Sequence, residues 1–347
     1  MKIYSELAFN IINNLLRIKK DDVISISGEI NNRKNCEKEL IEIPLIEELA
    51  VAIRKRQAFP ILEITTTNLQ DRFYNEMPDN IYSLPPSYYK KWIEMIDGFI
   101  EIGWQKFSND FNETSSQQSQ EMTDSTNELL EKIFEDNKKI IFLNLPNLQL
   151  AEYLQKDYQK LVSIYSDAVN CDYRYLNKTG IELKDKYFSS ANYKIENVTE
   201  LLEFKIVKDE ASINSGNQSD SSLIILPAGF IEFPLIRKSL NGIINFERVY
   251  YHHHLFENIK IFFENGTIRY ITFKVERKEN FILQNALMNS TNNCLLCIGF
   301  NPEIGTFTNY NIYDRCINEN ITFNFLCEDE SNIFLSTKNG KIERAIK

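Results

Sequence analysis

Histidine is almost missing from this chain. Among 347 residues there are three, and they are consecutive: His252, His253 and His254. A Ser–His–Asp triad or a two-histidine metal site can therefore be built only from that one cluster. Glycine is scarce as well, at 11 residues. The stretch after the first apolar strand, Ser27 to Asn32, reads SGEINN. A dinucleotide pyrophosphate needs glycines there for close backbone approach, so NAD and FAD binding are excluded. Positive charge is in deficit: 39 Lys and Arg stand against 49 Asp and Glu, a net charge of −10. No basic patch offsets this, so no nucleic-acid partner is expected. No apolar run approaches the ~20 residues of a membrane-spanning helix, so no membrane partner is expected either. Met1 to Lys20 holds no apolar stretch ending in a small-residue cleavage site, and the expected compartment is the cytoplasm.

What is present is the composition of a folded protein: 43% hydrophobic and 25% charged residues. The length suggests two domains, at roughly one per ~150 residues. Six cysteines occur, at 36, 171, 294, 297, 316 and 327. Cys294 and Cys297 form a C-x-x-C, but Cys316 and Cys327 are too far apart for the second half of a compact zinc site. Cys297 and Cys327 lie in apolar runs (LLCIGF, FNFLC), which points to buried free thiols in strands.

In the first half, short apolar strands alternate with amphipathic helices. Helices are expected at Met1 to Lys19, Ile43 to Gln57, Trp92 to Asp97, Asn127 to Glu135 and Ala151 to Asp167. Strands are expected at Val23 to Ser27, Phe59 to Thr65, Gly98 to Gly103 and Lys139 to Leu145. Ser108 to Asn127 is polar and reads as a flexible surface loop or a weak helix start. This alternation predicts an α/β fold, a doubly wound, mostly parallel sheet over residues 1–195. From Leu223 onward the chain reads mostly as strands, beginning with Leu223 to Leu226, with hairpin turns at Asn265-Gly266 and Asn339-Gly340. A strand-rich α+β domain is expected over residues 196–347.

Several segments, taken in order, carry a resemblance. They are Pro44 to Thr67 (PLIEELAVAIRKRQAFPILEITTT) followed by Arg72-Phe73-Tyr74, and Ile96 to Gly103 (IDGFIEIG). Next come Asp167 to Tyr173 and Thr199 to Phe204 (TELLEF). The last are Leu226 to Gly229 (LPAG), Asn241-Gly242, Phe263 to Gly266 (FENG) and Ile298 to Gly305 (IGFNPEIG). In this order and spacing the chain resembles the thermophilic-type metallo-aminopeptidases, the family of aminopeptidase T and aminopeptidase S. Its relatives include the iron-dependent dihydroxypyridine ring-opening dioxygenases.

The resemblance implies a set of metal-ligand positions, and in this sequence they are altered. A glutamate should follow the LPAG-like glycine, and Phe230 stands there, with Glu232 the nearest carboxylate. A second glutamate should precede the IGxNP motif, and Leu295 takes that place. Thr322 stands about where the first of two late histidines should be, and no histidine follows it. A hydrolytic metal needs several N or O donors to lower the pKa of its water toward ~7. The expectation is a degenerate member with no metal cofactor, which binds a peptide or a partner protein in an interdomain cleft. Ribosomal-peptide modification is one setting for it. Tyr82, Tyr88, Tyr89 and Trp92 are candidates for the cleft mouth. The resemblance also implies a homodimer. The alternative is a divergent aminopeptidase or non-haem iron dioxygenase holding zinc, cobalt or iron. Its donors would be His252 and His254, one on each side of His253 and thus on one strand face, with Glu264 or Glu303 and Glu232.

Overall fold

The computed structural model describes residues 2–30, 42–66, 68, 69, 72, 76, 86–103, 128, 130–188, 192–197, 200–207, 210–217, 223–252, 254–327, 332–337 and 341–344. The expected loop at 108–127, the Asn339-Gly340 turn, Cys36, Tyr82 and His253 fall outside them. The chain divides into two compact units. One is Met1–Asn170 with Gly216–Leu226, the other Cys171–Ser215 with Pro227–Lys347.

In the first unit, strands β1 (Val23–Ile30), β2 (Phe59–Thr66), β3 (Gly98–Gly103) and β4 (Lys139–Asn144) pair in parallel. Helix α1 (Lys2–Asn10) runs on into a π-helical turn, Ile11–Leu15. Helices α2 (Glu42–Lys55) and α3 (Pro86–Met95) connect successive strands. The apolar strands are short because helices cover both faces of such a sheet, and every covered residue must be apolar or paired. On one face Phe99, Ile140, Ile93, Ile96 and Ile133 form a buried cluster. Polar exceptions on β1 are satisfied across strands: Ser25 Oγ donates to Glu63 Oε1 at 2.7 Å and Ser27 Oγ to Glu101 Oε2 at 2.6 Å.

The expected helix at Ala151 to Asp167 is two helices, α4 (Leu148–Tyr153) and α5 (Tyr158–Val169). Gln155 has a positive φ of 54° between them, and the Asp157 side chain accepts from Lys160 N and opens the second helix.

The second unit begins with α6 (Tyr173–Phe188). Its strands are β5 (Asn192–Asn197), β6 (Glu200–Lys205) and β7 (Ser212–Asn214). The chain then returns to the first unit for β8 (Leu223–Leu226), which pairs in parallel with β4. The parallel sheet therefore has five strands in the order β2-β1-β3-β4-β8, a doubly wound arrangement. The boundary expected at 195/196 thus differs from the observed division on both sides. Helix α6 belongs to the second unit, where Gly180 is so close to Ile213 and Phe300 that a Cβ on it would lie 2.7 Å from Ile213 Cγ2. Strand β8 belongs to the first.

The chain continues with β9 (Phe230–Pro234), β10 (Asn241–Tyr251), β11 (His254–Glu264), β12 (Thr267–Phe273), helix α7 (Asn280–Met288), β13 (Ser290–Gly299), helix α8 (Asn311–Asp314), β14 (Ile321–Cys327), β15 (Asn332–Thr337) and β16 (Lys341–Arg344). With β5, β6 and β7 these strands form a large sheet, ordered β16-β5-β6-β10-β15-β14-β13-β9-β7, with β11 and β12 continuing from β10. Asn265 and Gly266 both take positive φ, 49° and 77°, as a tight β11–β12 turn requires. Alternation sorts the two faces of the sheet. On one face Phe323 packs edge-on to Phe204 and Phe246 at 6.1 and 5.6 Å, and Phe263 stacks on Phe325 at 6.0 Å. The other face carries the candidate site.

Candidate functional site

Two of the sequence motifs lock onto each other in the second unit. Gly229, at the end of LPAG, has φ +111°, and a Cβ there would lie 2.6 Å from Asn301 Cβ. Gly229 N donates to Asn214 O, Phe300 N donates to Gly229 O, and Asn301 Nδ2 donates to Ala228 O at 2.8 Å. The segment after Asn301 is pinned by a buried carboxylate. Asp314 accepts from Thr308 N, Thr308 Oγ1 and Asn309 N at 2.7 to 3.0 Å. Asn320 Nδ2 closes the loop on Asp314 O at 2.8 Å. This pinning fixes the residue that follows α8, Arg315.

Strands β9, β13, β14 and β15 align Glu232 with Cys297, Cys297 with Thr322 and Thr322 with Ser336. Cross-strand partners share a face, and residues two apart on a strand share it too. The structure thus brings Phe230, Glu232, Leu295 and Thr322 together on one face of three adjacent strands. Thr322 is buried, with its hydroxyl 3.1 Å from Ser336 Oγ and 3.1 Å from Asn320 Nδ2. Ser336 is in turn aligned with Arg248 on β10. The Arg248 guanidinium reaches Glu257 at 3.1 Å and Asn309 Oδ1 at 3.4 Å.

The group that sequence reasoning missed is Arg315. Its guanidinium lies over the Phe230 ring, with Cζ 4.0 Å from the centroid, and its Nη1 is 3.4 Å from Glu232 Oε1. The side chains of Arg315 and Glu232 are 11% and 20% exposed. Arg315 is distant from Glu232 in sequence, and no spacing rule links the two. The aromatic Phe230 directly after the LPAG motif was the available signal, because an aromatic face accepts a guanidinium.

The thiols nearby are neutral. Burial pushes Cys171 and Cys316 up to about 12, and Cys297, next to Glu232, well above the ordinary thiol value. Cys294 is likewise raised to about 12 by burial. Cys294 and Cys297 point to opposite faces of β13, so they do not chelate together. The described cysteines are all free and buried, as their apolar context implies.

The alternative donors are scattered. His254 and Glu264 are the two ends of the eleven-residue β11, about 34 Å apart at ~3.4 Å per residue. His252 is exposed in the β10–β11 turn at φ 46°, against Tyr251, and His254 lies edge-on to Phe256. Glu264 is engaged by Arg269 at 2.6 Å, and Glu303 is exposed, its backbone N donating to Asn301 Oδ1. Among the described residues, no group of three His, Cys, Asp or Glu side chains gathers as metal donors. The set His252, His254 and Glu264 does not form a site. Tyr88 and Tyr89 fall on α3, and Trp92, also on α3, packs on Phe99 at 5.1 Å beside the first unit's apolar cluster.

No protein-family model matches the chain, and no curated protein matches it. Among solved structures the chain is similar to wild-type AmpT from Thermus thermophilus, with a TM-score of 0.63 at 13% identity. The match covers 98% of this chain and 94% of that one. The likeness is one of fold: the two-unit α/β architecture is shared with that protein.

Proposed function

We propose that this chain is a catalytically inactive, aminopeptidase-like protein that binds a peptide or a partner protein. One observation carries the reading. Where the resemblance places metal donors, Phe230 forms an apolar shelf under the Arg315 guanidinium, and that guanidinium pairs with Glu232, the carboxylate nearest the LPAG motif in sequence. A guanidinium is permanently charged and cannot give up its proton to become a ligand. A divalent ion beside it would meet a like charge in a poorly solvated setting, with Leu295 and a buried threonine hydroxyl for neighbours. The donor set fits no zinc, cobalt or iron ion.

The aminopeptidase-like scaffold supports a peptide as the ligand, and modification of ribosomally made peptides is a setting in which such a binder would present its cargo. A homodimer belongs to the same proposal. The test is to incubate the purified chain with a pool of unblocked tri- to hexapeptides, with and without added zinc, cobalt or iron(II). Mass spectrometry should show intact peptides, a subset of which co-elutes with the protein. Progressive loss of N-terminal residues would overturn the proposal. Light scattering after size exclusion should give twice the chain mass, and a monomer at micromolar concentration would remove the dimer from it.

A further inference from the structure

Arg315 makes far fewer hydrogen bonds than its chemistry allows. A guanidinium carries five N–H donors in a planar fork. Among the described residues its side chain has one hydrogen-bond acceptor, Glu232 Oε1, at 3.4 Å. That is long for a charge-assisted bond, for which about 2.7–2.9 Å is usual. Nε is buried with no partner. The ring of Phe230 occupies one face of the fork and supplies no acceptor. An ion pair built only to hold the fold would be expected to be bidentate and saturated, as the carboxylate of the preceding residue, Asp314, is, with three donors on its two oxygens. The Arg315–Glu232 pair instead keeps partial exposure on both side chains and leaves most of the fork's donors unused.

We infer that the Arg315–Glu232 pair is a recognition site for a carboxylate on the bound ligand, with Arg315 supplying the unused N–H donors and Phe230 holding the fork flat. The inference rests on the peptide-binding reading and specifies the chemistry recognised by the same site. Glu232 keeps its second oxygen as an acceptor, and a peptide's last residue offers a carboxylate together with its own amide N–H. A C-terminal carboxylate therefore satisfies both members of the pair, and an acidic side chain satisfies Arg315 alone. Charge-assisted bonds of this kind discriminate strongly, because the neutral analogue leaves buried donors unpaired.

Three probes test it by isothermal titration against the full chain: acetyl-Ala-Ala-Ala with a free carboxylate, its C-terminal amide, and acetyl-Ala-Glu-Ala amide. The free acid should bind at least about tenfold more tightly than the neutral amide. Arg315→Gln should erase that difference, and Arg315→Lys should restore part of it. Glu232→Gln should tighten the free acid, by removing a like charge, and leave the neutral amide unchanged, a result that a purely structural ion pair would not give. Preference for the Glu-containing amide at the expense of the free acid would keep the carboxylate and assign it to a side chain. Equal binding of the acid and both amides would overturn the inference and leave peptide binding standing. Absence of binding by all three at millimolar concentration would overturn the inference, and the unblocked peptide pool then decides the peptide-binding reading separately. The acid–amide comparison on the unaltered chain decides the matter even if Arg315→Gln does not fold.

Discussion

Gly229 and Asn301 are packed so tightly that no side chain fits between them. The glycine takes φ +111°, and a Cβ placed on it would lie 2.6 Å from Asn301 Cβ and 2.9 Å from Asn301 N. Gly229→Ala meets both a strained backbone and a steric clash with main chain. It should lower stability by about 2 kcal/mol or more, read as a drop in the urea midpoint at unchanged slope. An alanine variant as stable as the parent would mean that the two motifs are not locked as described.

Phe323 is fully buried and lies at the centre of the second unit's aromatic core, against Phe204, Phe246 and Phe325. Truncation to alanine should cost about 3–5 kcal/mol, from lost transfer energy plus the cavity left behind. Phe323→Leu should recover most of that, since it keeps much of the volume. Chemical denaturation of both variants checks the order.

Glu101 makes stability depend on pH in an unusual direction. Burial raises its carboxyl, the Ser27 hydroxyl bond pulls the other way, and the nearby Glu63 charge raises it further. The folded chain thus holds the proton longer than the unfolded one, whose glutamates release it near ~4.3. Glu101's contribution is full below that value and is lost as pH rises from it through the folded value. Glu101→Gln keeps an acceptor for Ser27 and removes the charge. Thermal melts between pH 4 and 8 should show a flatter profile for the variant and a higher melting temperature at pH 7. An unchanged profile would place the Glu101 carboxyl in water.

The parallel sheet was legible because each of its first four strands is a short apolar run between helical periods. Leu223 to Leu226 misled for a physical reason. LIIL reads alike in either sheet, and its place on β4 depends on a chain excursion through the second unit that no local pattern records. The break at Gln155 hid inside one continuous apolar period, although the cap at Asp157 was present in the sequence. At the site, Phe230, Glu232, Leu295 and Thr322 were legible as a set only through the family resemblance, which marks their positions, and not through any local pattern. Arg315 was not. Its position depends on the Asp314-pinned loop between β13 and β14, which brings residues far apart in sequence onto one face.

In the proposed function, the Arg315 guanidinium takes the place of a metal's donors. The most direct measurement is calorimetric titration of the chelator-treated chain with zinc and with cobalt, read beside the metal content of the protein as purified. The account predicts no stoichiometric uptake and no rise in melting temperature with either ion. One divalent ion bound per chain, and lost in Glu232→Gln, would contradict it.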